Sequence, residues 1–151
     1  MVEMLRTERL TLVPLECGFV HLHDREECVF AQTHWAEHGF GTWAVLIRAG
    51  TFMGVAEVHW AHDGVVGIST DEVEIGWSLL PEFRGRGFAT EAMTSAIADA
   101  WTRTRVDHLV AYIRPDNEAS LRVAEKLGMT PRGEGLTRSG DPMTVYELRA
   151  P

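Results

Sequence analysis

The sequence has little cysteine. Cys17 and Cys28 are its two cysteines among 151 residues, and they form neither a CxxC pair nor part of a run, so the usual signatures of a disulfide framework or a thiolate metal site are missing. Nothing before them shows the basic, apolar and small-residue regions of a signal peptide. Both are expected to be free thiols in a reducing cytoplasm. No window approaches the ~18 consecutive apolar residues that a membrane span needs, so the expectation is a soluble protein with no membrane partner. Basic charge is also scarce: 14 Lys and Arg stand against 22 Asp and Glu, a formal net charge of -8. Phosphate-backbone binding needs a basic face; nucleic acid is therefore not an expected partner, and cationic partners are mildly favoured. Repeats, low-complexity tracts and long linkers are absent. With 45% hydrophobic residues, residues 1–151 are expected to form one domain around a single core.

What is present is a succession of strand and helix patterns. Residues 9–15, RLTLVPL, alternate like a strand, and 42–60 read as two strands around an Arg-Ala-Gly turn. Residues 73–80, VEIGWSLL, supply another strand. From Phe88 to about Arg103 the period changes, with Ala89, Ala92, Met93, Ala96, Ile97, Ala100 and Trp101 on one helical face. Residues 107–114 form a nearly continuous apolar run of the kind found in a covered strand, ended by Pro115. A second helix is predicted from Asn117, its N-cap, to Leu127, with Gly128 as the αL C-cap. Residues 129–132 and 143–148 look like two last strands joined by a polar loop over 133–142. This order makes an α/β or α+β sheet domain.

The junction of strand and first helix, EIGWSLLPEFRGRGFATEAM, combines bare backbone with two arginines. A helix N-terminus leaves N–H groups unpartnered and carries partial positive charge, so a glycine-rich entry lets an anion approach. Gly85 and Gly87 have no Cβ to obstruct it, and Arg84 and Arg86 add charge-assisted donors. A tight strand-to-helix connection with solvated arginines would use the same residues. The dinucleotide fingerprint is ruled out because Thr90 stands where its third glycine belongs, and the Walker loop because Phe88-Ala89 replaces Lys-Ser/Thr.

Residues 84–89, RGRGFA, match the pattern Arg/Gln-x-x-Gly-x-Gly/Ala and resemble the pyrophosphate loop of the GCN5-related N-acetyltransferase (GNAT) superfamily. RTERLTLVPL is similar to the opening strand of its RimJ/RimL-like ribosomal-protein N-terminal acetyltransferase branch, HGFGTWAV to the second strand, and NEASLRVAEKLGM to the helix beside the coenzyme's thiol end. The resemblance implies a mixed, mostly antiparallel sheet with splayed central strands and flanking helices. Acetyl-CoA would be the cosubstrate, with no metal. Its pyrophosphate would lie on Arg84, Gly85, Arg86, Gly87, Phe88 and Ala89, and its pantetheine would pair with Trp77, Ser78 and Leu79 like an added strand.

Acetyl transfer to an amine needs a neutral amine, a polarised carbonyl and a proton for the departing thiolate. Glu74, ten residues before Arg84, matches the superfamily's general-base position; it would share a strand face with Gly76 and Ser78, or act only as a structural carboxylate. Backbone N–H groups near Leu79 and Leu80 would polarise the carbonyl. The resemblance offers Ser120, alone or with a water, for the thiolate's proton, unless no side chain supplies it, and has Asn117 contact the pantetheine or pin the splayed strand; both are also at home as helix N-terminal residues. The tyrosine many superfamily members place four residues before the glycine matching Gly128 is Ala124 here, with Tyr112 and Tyr146 as distant substitutes.

The implied acceptor is a primary amine on a protein N-terminus or a small molecule, and the implied assembly a monomer or homodimer. Residues 15–34 do not match the longer helical segment that walls the acceptor site in the family. Two other functions remain. One is an acyl-CoA-binding sensor or structural module without catalysis, which has no need of Glu74 or Ser120. The other is a zinc hydrolase: His34-Trp35-Ala36-Glu37-His38 fits H-x-x-E-H with His21 and His23 upstream, although Gly39 and Gly41 argue against a sustained helix there. Trp35, Trp43, Trp60, Trp77 and Trp101 are expected mostly in core packing.

Overall fold

The first alternating stretch forms strand β2 (Leu10–Pro14), whose inward residues Leu10 and Leu12 are fully buried. The computed structural model describes residues 3–19, 24–48 and 50–151. It comprises two compact units, Met1–His59 with Trp77–Thr104, and Trp60–Gly76 with Arg105–Pro151.

In the first unit, β1 (Leu5–Arg6), β2, β3 (Trp43–Ile47) and β4 (Phe52–Trp60) pair antiparallel in chain order. The expected β3–β4 hairpin closes with Gly50 N–H donating to the Ile47 carbonyl at 2.7 Å; Ala49 of that turn lies outside the described residues. Its ladder shifts register between Val45 and Leu46. Beside the shift, an ideal Cβ on Gly54 would lie 2.1 Å from the Ser78 carbonyl oxygen. Only glycine lets β4 come that close to β5 (Val73–Leu79). Helix α2 (Phe88–Thr104) follows the predicted period and buries Phe88, Ala92, Met93, Ala96, Ile97 and Ala100. Trp101, counted in the same stripe, is half-buried.

The segment before β3 corrects the sequence reading. Arg25–His38 is a helix, α1, where the sequence pattern places none and Gly39 and Gly41 argue against a sustained one. Asp24 caps its start by accepting from Glu27 N–H at 3.0 Å, and Gly39 ends it as an αL C-cap. The glycine therefore terminates a helix already formed. α1 buries Cys28, Ala31, His34 and Trp35. Trp35 donates its indole N–H to the Thr42 carbonyl at 2.7 Å and meets Trp43 edge-on at 4.8 Å. These two tryptophans are core residues as expected, while Trp60, Trp77 and Trp101 are half-buried.

In the second unit the first part of β5 pairs parallel with β6 (His108–Ile113) through Val73↔Leu109 and Glu74↔Val110. Strand β8 (Pro142–Arg149) runs antiparallel to β6, and β7 (Thr130–Leu136) antiparallel to β8. The polar loop predicted over 133–142 is thus shorter, because the pairing carries β7 on to Leu136. Helix α3 (Glu118–Lys126) connects β6 and β7. Val110, Val145, Ala61, Val65 and Ile68 form a buried apolar cluster in this unit. At its polar edge Arg132 holds Glu72 with both terminal guanidinium nitrogens, at 2.6 and 3.1 Å, and His108 lies 2.6 Å from the same carboxylate and 2.5 Å from Asp107.

The architecture is the α/β sheet domain expected from the pattern, in the mixed, mostly antiparallel form with flanking helices that the resemblance implies. Among the described residues, no helix is long and apolar enough to cross a membrane.

Candidate active site

In the first unit, β5 ends at Leu79 and the chain passes through a single 3₁₀ turn, Pro81–Phe83, before α2. Proline at the first position of that turn presets φ. Leu80 N–H donates to the Met53 carbonyl at 2.8 Å. That commitment corrects one expectation: the Leu80 N–H is spent within the sheet and is not available to polarise a substrate carbonyl.

The anion-loop reading is supported by backbone geometry. Gly85 and Gly87 have φ of +78° and +79°, a region that side chains with a Cβ rarely enter. Nothing lies within 4 Å of where a Cβ on Gly85 would stand, so the glycine is required by its dihedral and the space beside it is open. The first N–H groups of α2, those of Phe88, Ala89 and Thr90, have no intrahelical acceptors. Arg84 donates Nε–H to the Leu79 carbonyl at 3.0 Å, and Arg86 donates Nη2–H to the Glu82 carbonyl at 3.1 Å. The Arg86 guanidinium also lies 5.1 Å from the Phe88 ring centroid. Each guanidinium has five N–H donors, so these contacts fix both side chains and leave donors for an anion. Two cations, open backbone and a helix N-terminus together suit a diphosphate group.

Beneath the loop lies a residue that sequence reasoning missed. Arg9, in the β1–β2 turn, donates Nε–H to Glu91 Oε1 at 2.7 Å and Nη1–H to the Arg86 carbonyl at 3.1 Å, and its guanidinium stacks 4.2 Å from the Phe88 centroid. Glu91 also accepts from Thr7 Oγ1–H at 2.5 Å and Arg9 N–H at 2.9 Å. Burial pulls the Glu91 carboxyl up, but the Thr7 hydroxyl and Arg9 donors outweigh it and hold it below its ordinary value. The only sequence signal was the adjacency of Arg9 to a strand start, which does not point to a loop many residues away.

Of the strand residues assigned to the pantetheine, Trp77 and Leu79 are half-buried and Ser78 is exposed. The Trp77 indole Nε1–H is buried without a hydrogen-bond acceptor among the described residues. Such a donor costs on the order of 1–3 kcal/mol, so an acceptor supplied by a ligand would recover free energy there.

In the second unit, Glu74 is 6% exposed, which rules out a merely solvated carboxylate. Asn117 caps α3 by accepting from Ser120 N–H at 3.2 Å through its side-chain oxygen. That oxygen performs helix N-terminal chemistry, and Ser120 is a half-buried residue on the first turn.

The histidine motif does fall on a helix, α1, but as packing. His34 is 5% exposed, its Nδ1 lies 2.8 Å from the Phe40 carbonyl, and its ring centroid is 4.5 Å from that of His38. Among the described residues, no group of three or more His, Cys, Asp or Glu is placed to hold a metal ion. His21 and His23 lie outside the described residues.

Comparison with known proteins follows the same lines. The profile of the acetyltransferase (GNAT) domain family matches residues 9–130. The Bacillus subtilis (strain 168) protein YkkB is 32% identical over 78 residues, covering 52% of this chain and 45% of its own. The chain therefore spans about half the length of that curated relative. Among solved structures, a putative GnaT-family acetyltransferase from Bordetella pertussis has a TM-score of 0.84 at 23% identity, covering 99% of this chain and 100% of its own. The ribosomal L7/L12 alpha-N-protein acetyltransferase RimL, solved with coenzyme A, has a TM-score of 0.74 at 16% identity over 97% and 98% of the two chains. At these identities the structures share the fold.

Proposed function

From the acetyltransferase (GNAT) domain family, to which this chain belongs, we propose that it is an acetyl-CoA-dependent N-acetyltransferase acting by direct transfer in a ternary complex. The observation that carries this reading is the loop entering α2, where Gly85 and Gly87 take positive φ between two fixed arginines.

Arg84, Arg86 and the N–H groups of residues 85–89 bind the diphosphate of acetyl-CoA. Trp77, Ser78 and Leu79 take the pantetheine, and the buried Trp77 Nε1–H gains an acceptor on binding. Asn117 contributes by capping α3 and so fixing Ser120. In the reaction the amine nitrogen attacks the thioester carbon; the N–C bond forms and the C–S bond breaks. Glu74 accepts the proton that the amine loses and the Ser120 hydroxyl donates one to the leaving thiolate; solvent then carries the proton from Glu74 back to Ser120, which resets both groups. The backbone N–H near Leu79 is the remaining candidate for polarising the carbonyl. A buried carboxylate on a fixed strand suits the base, because little solvent competes for its proton.

The acceptor is a primary amine. A protein N-terminus is supported by the fold shared with RimL, and a small polyamine, amino acid or aminoglycoside is the competing class. The reading includes a cytoplasmic location and a monomer or homodimer.

The test is titration calorimetry with acetyl-CoA, followed by thiol release against a panel of amines. Saturable binding with amine-dependent release is expected, and Glu74→Gln should lower kcat with binding intact. Binding without release across peptides and small amines would make the chain an acyl-CoA-binding module. No binding would end the proposal.

A further inference from the structure

Arg9 stands outside every role assigned above, yet it touches the diphosphate loop at two points. Building on the proposed acetyl-CoA site, we infer that Arg9 is a positioning residue: it orients the Arg86–Gly87 peptide so that the loop presents an N–H, and not a carbonyl, to the diphosphate.

The peptide bond supplies the reason. In a planar trans peptide, the carbonyl of one residue and the N–H of the next point in opposite directions, and the described chain contains no cis peptide. Arg9 Nη1–H holds the Arg86 carbonyl oxygen at 3.1 Å. The Gly87 N–H of the same peptide unit must then point away from Arg9. With φ of +79° and no side chain, Gly87 could be turned easily if that carbonyl were released. The rotated loop would set a carbonyl dipole against the anion.

Arg9 is itself held from behind. Its Nε–H is bonded to Glu91 Oε1 at 2.7 Å, and its guanidinium stacks 4.2 Å from the Phe88 centroid. Nη2 lies 3.5 Å from where a Cβ on Gly87 would stand, so the guanidinium occupies the underside of the loop. The pairing has a second effect. Glu91 lies in the first turn of α2, where a carboxylate would repel a diphosphate bound at the same helix end. Arg9 neutralises it. The Arg9 side chain is 42% exposed, so a bare attraction to phosphate would be screened; the oriented hydrogen bond is the stronger effect.

The test is titration calorimetry of wild type and Arg9→Met with CoA, dephospho-CoA and acetyl-pantetheine, the last of which lacks the diphosphate. Wild type must bind CoA; if it does not, the transferase reading and this inference fall together. Given that binding, Arg9→Met should weaken CoA and dephospho-CoA alike by on the order of tenfold, the effect of one charge-assisted hydrogen bond, and leave acetyl-pantetheine within about twofold. Equal loss for all three ligands, or no loss for any, overturns the inference alone.

Two further variants separate orientation from neutralisation and from stability. Arg9→Met with Glu91→Gln removes both charges together. Continued loss of CoA affinity supports the oriented carbonyl, and full recovery overturns it. Thr7→Val removes a partner of Glu91 without touching the loop and serves as the stability control. It should melt lower yet bind CoA as wild type does, and a CoA loss matching that of Arg9→Met would reduce Arg9 to a structural residue.

Discussion

Replacing Arg132 with methionine tests the electrostatics of the second unit most directly. The apolar stem stays in place, while the donors to Glu72 at 2.6 and 3.1 Å and to the Gly67 carbonyl at 2.7 Å are lost. The Arg132 guanidinium is the largest cause holding the Glu72 carboxyl well down, from 4.5 to about 2; the Ser69 N–H and His108 assist, and burial opposes them. At 1.36 kcal/mol per pKa unit, such a depression corresponds to about 3 kcal/mol. Solvent at the rim screens part of it, so a destabilisation of about 2 kcal/mol is expected at pH 6.

A depressed carboxylate contributes stability above its unfolded value, and that contribution is lost as pH falls from 4.5 toward about 2. His108 works on the other side. Asp107 first, then Glu72, raise its pKa above 6.5, so its contribution is present below 6.5 and lost as pH rises through the raised value. Urea unfolding followed by circular dichroism from pH 2 to 9 should show wild type declining at both ends. The acid decline should be shallower in Arg132→Met. In a melting experiment 2 kcal/mol corresponds to about 4–8 °C for a chain of this length. An unchanged urea midpoint at pH 6, or an acid limb identical in the two proteins, would refute the reasoning.

Three other outcomes follow from particular contacts. Gly54→Ala should destabilise by more than about 3 kcal/mol in urea unfolding, since the new Cβ would stand 2.1 Å from a backbone oxygen on β5 at a φ of +152°. Asn117→Ala removes the α3 cap and should cost about 1 kcal/mol in the same assay, with Asn117→Asp retaining most of it. Arg84→Ala and Gly87→Val should each weaken CoA binding by about tenfold in calorimetry, the first by losing a cation fixed on the Leu79 carbonyl and the second by straining a φ of +79°.

Elements whose side chains carry a clean period were legible in the sequence. The β3–β4 hairpin, α2 and α3 stand within a residue or two of expectation because apolar residues recur without interruption at the strand or helix spacing. Helix α1 was not legible. Its inward stripe is Cys28, Ala31, His34 and Trp35, of which two are small and one is polar, while Val29 is 44% exposed on the outer side. Strand β7 was cut short after Arg132 by Gly133 and Gly135, residues that normally signal a turn. The structure accounts for one of them: an ideal Cβ on Gly135 would lie 2.2 Å from the Val66 carbonyl oxygen, and Leu136 exchanges backbone hydrogen bonds with Val66 there. At the candidate site, the glycines and arginines of the loop were visible as a local motif. The Arg9–Glu91 pair was not, since it joins residues that only the fold brings together.

The chain crosses between its two units three times: at His59–Trp60 as β4 ends, at Gly76–Trp77 within β5, and at Thr104–Arg105. Neither unit is therefore a continuous stretch of polypeptide. During synthesis β1 to β4 can pair with near neighbours as they emerge, but Val73 and Glu74 must wait until all of α2 has been made before Leu109 and Val110 exist to receive them. Such late, non-local closure slows folding and leaves an edge exposed meanwhile. The same interleaving means that no simple truncation releases either unit intact, and a fragment ending at Thr104 would carry the first half of β5 without the strand it pairs with.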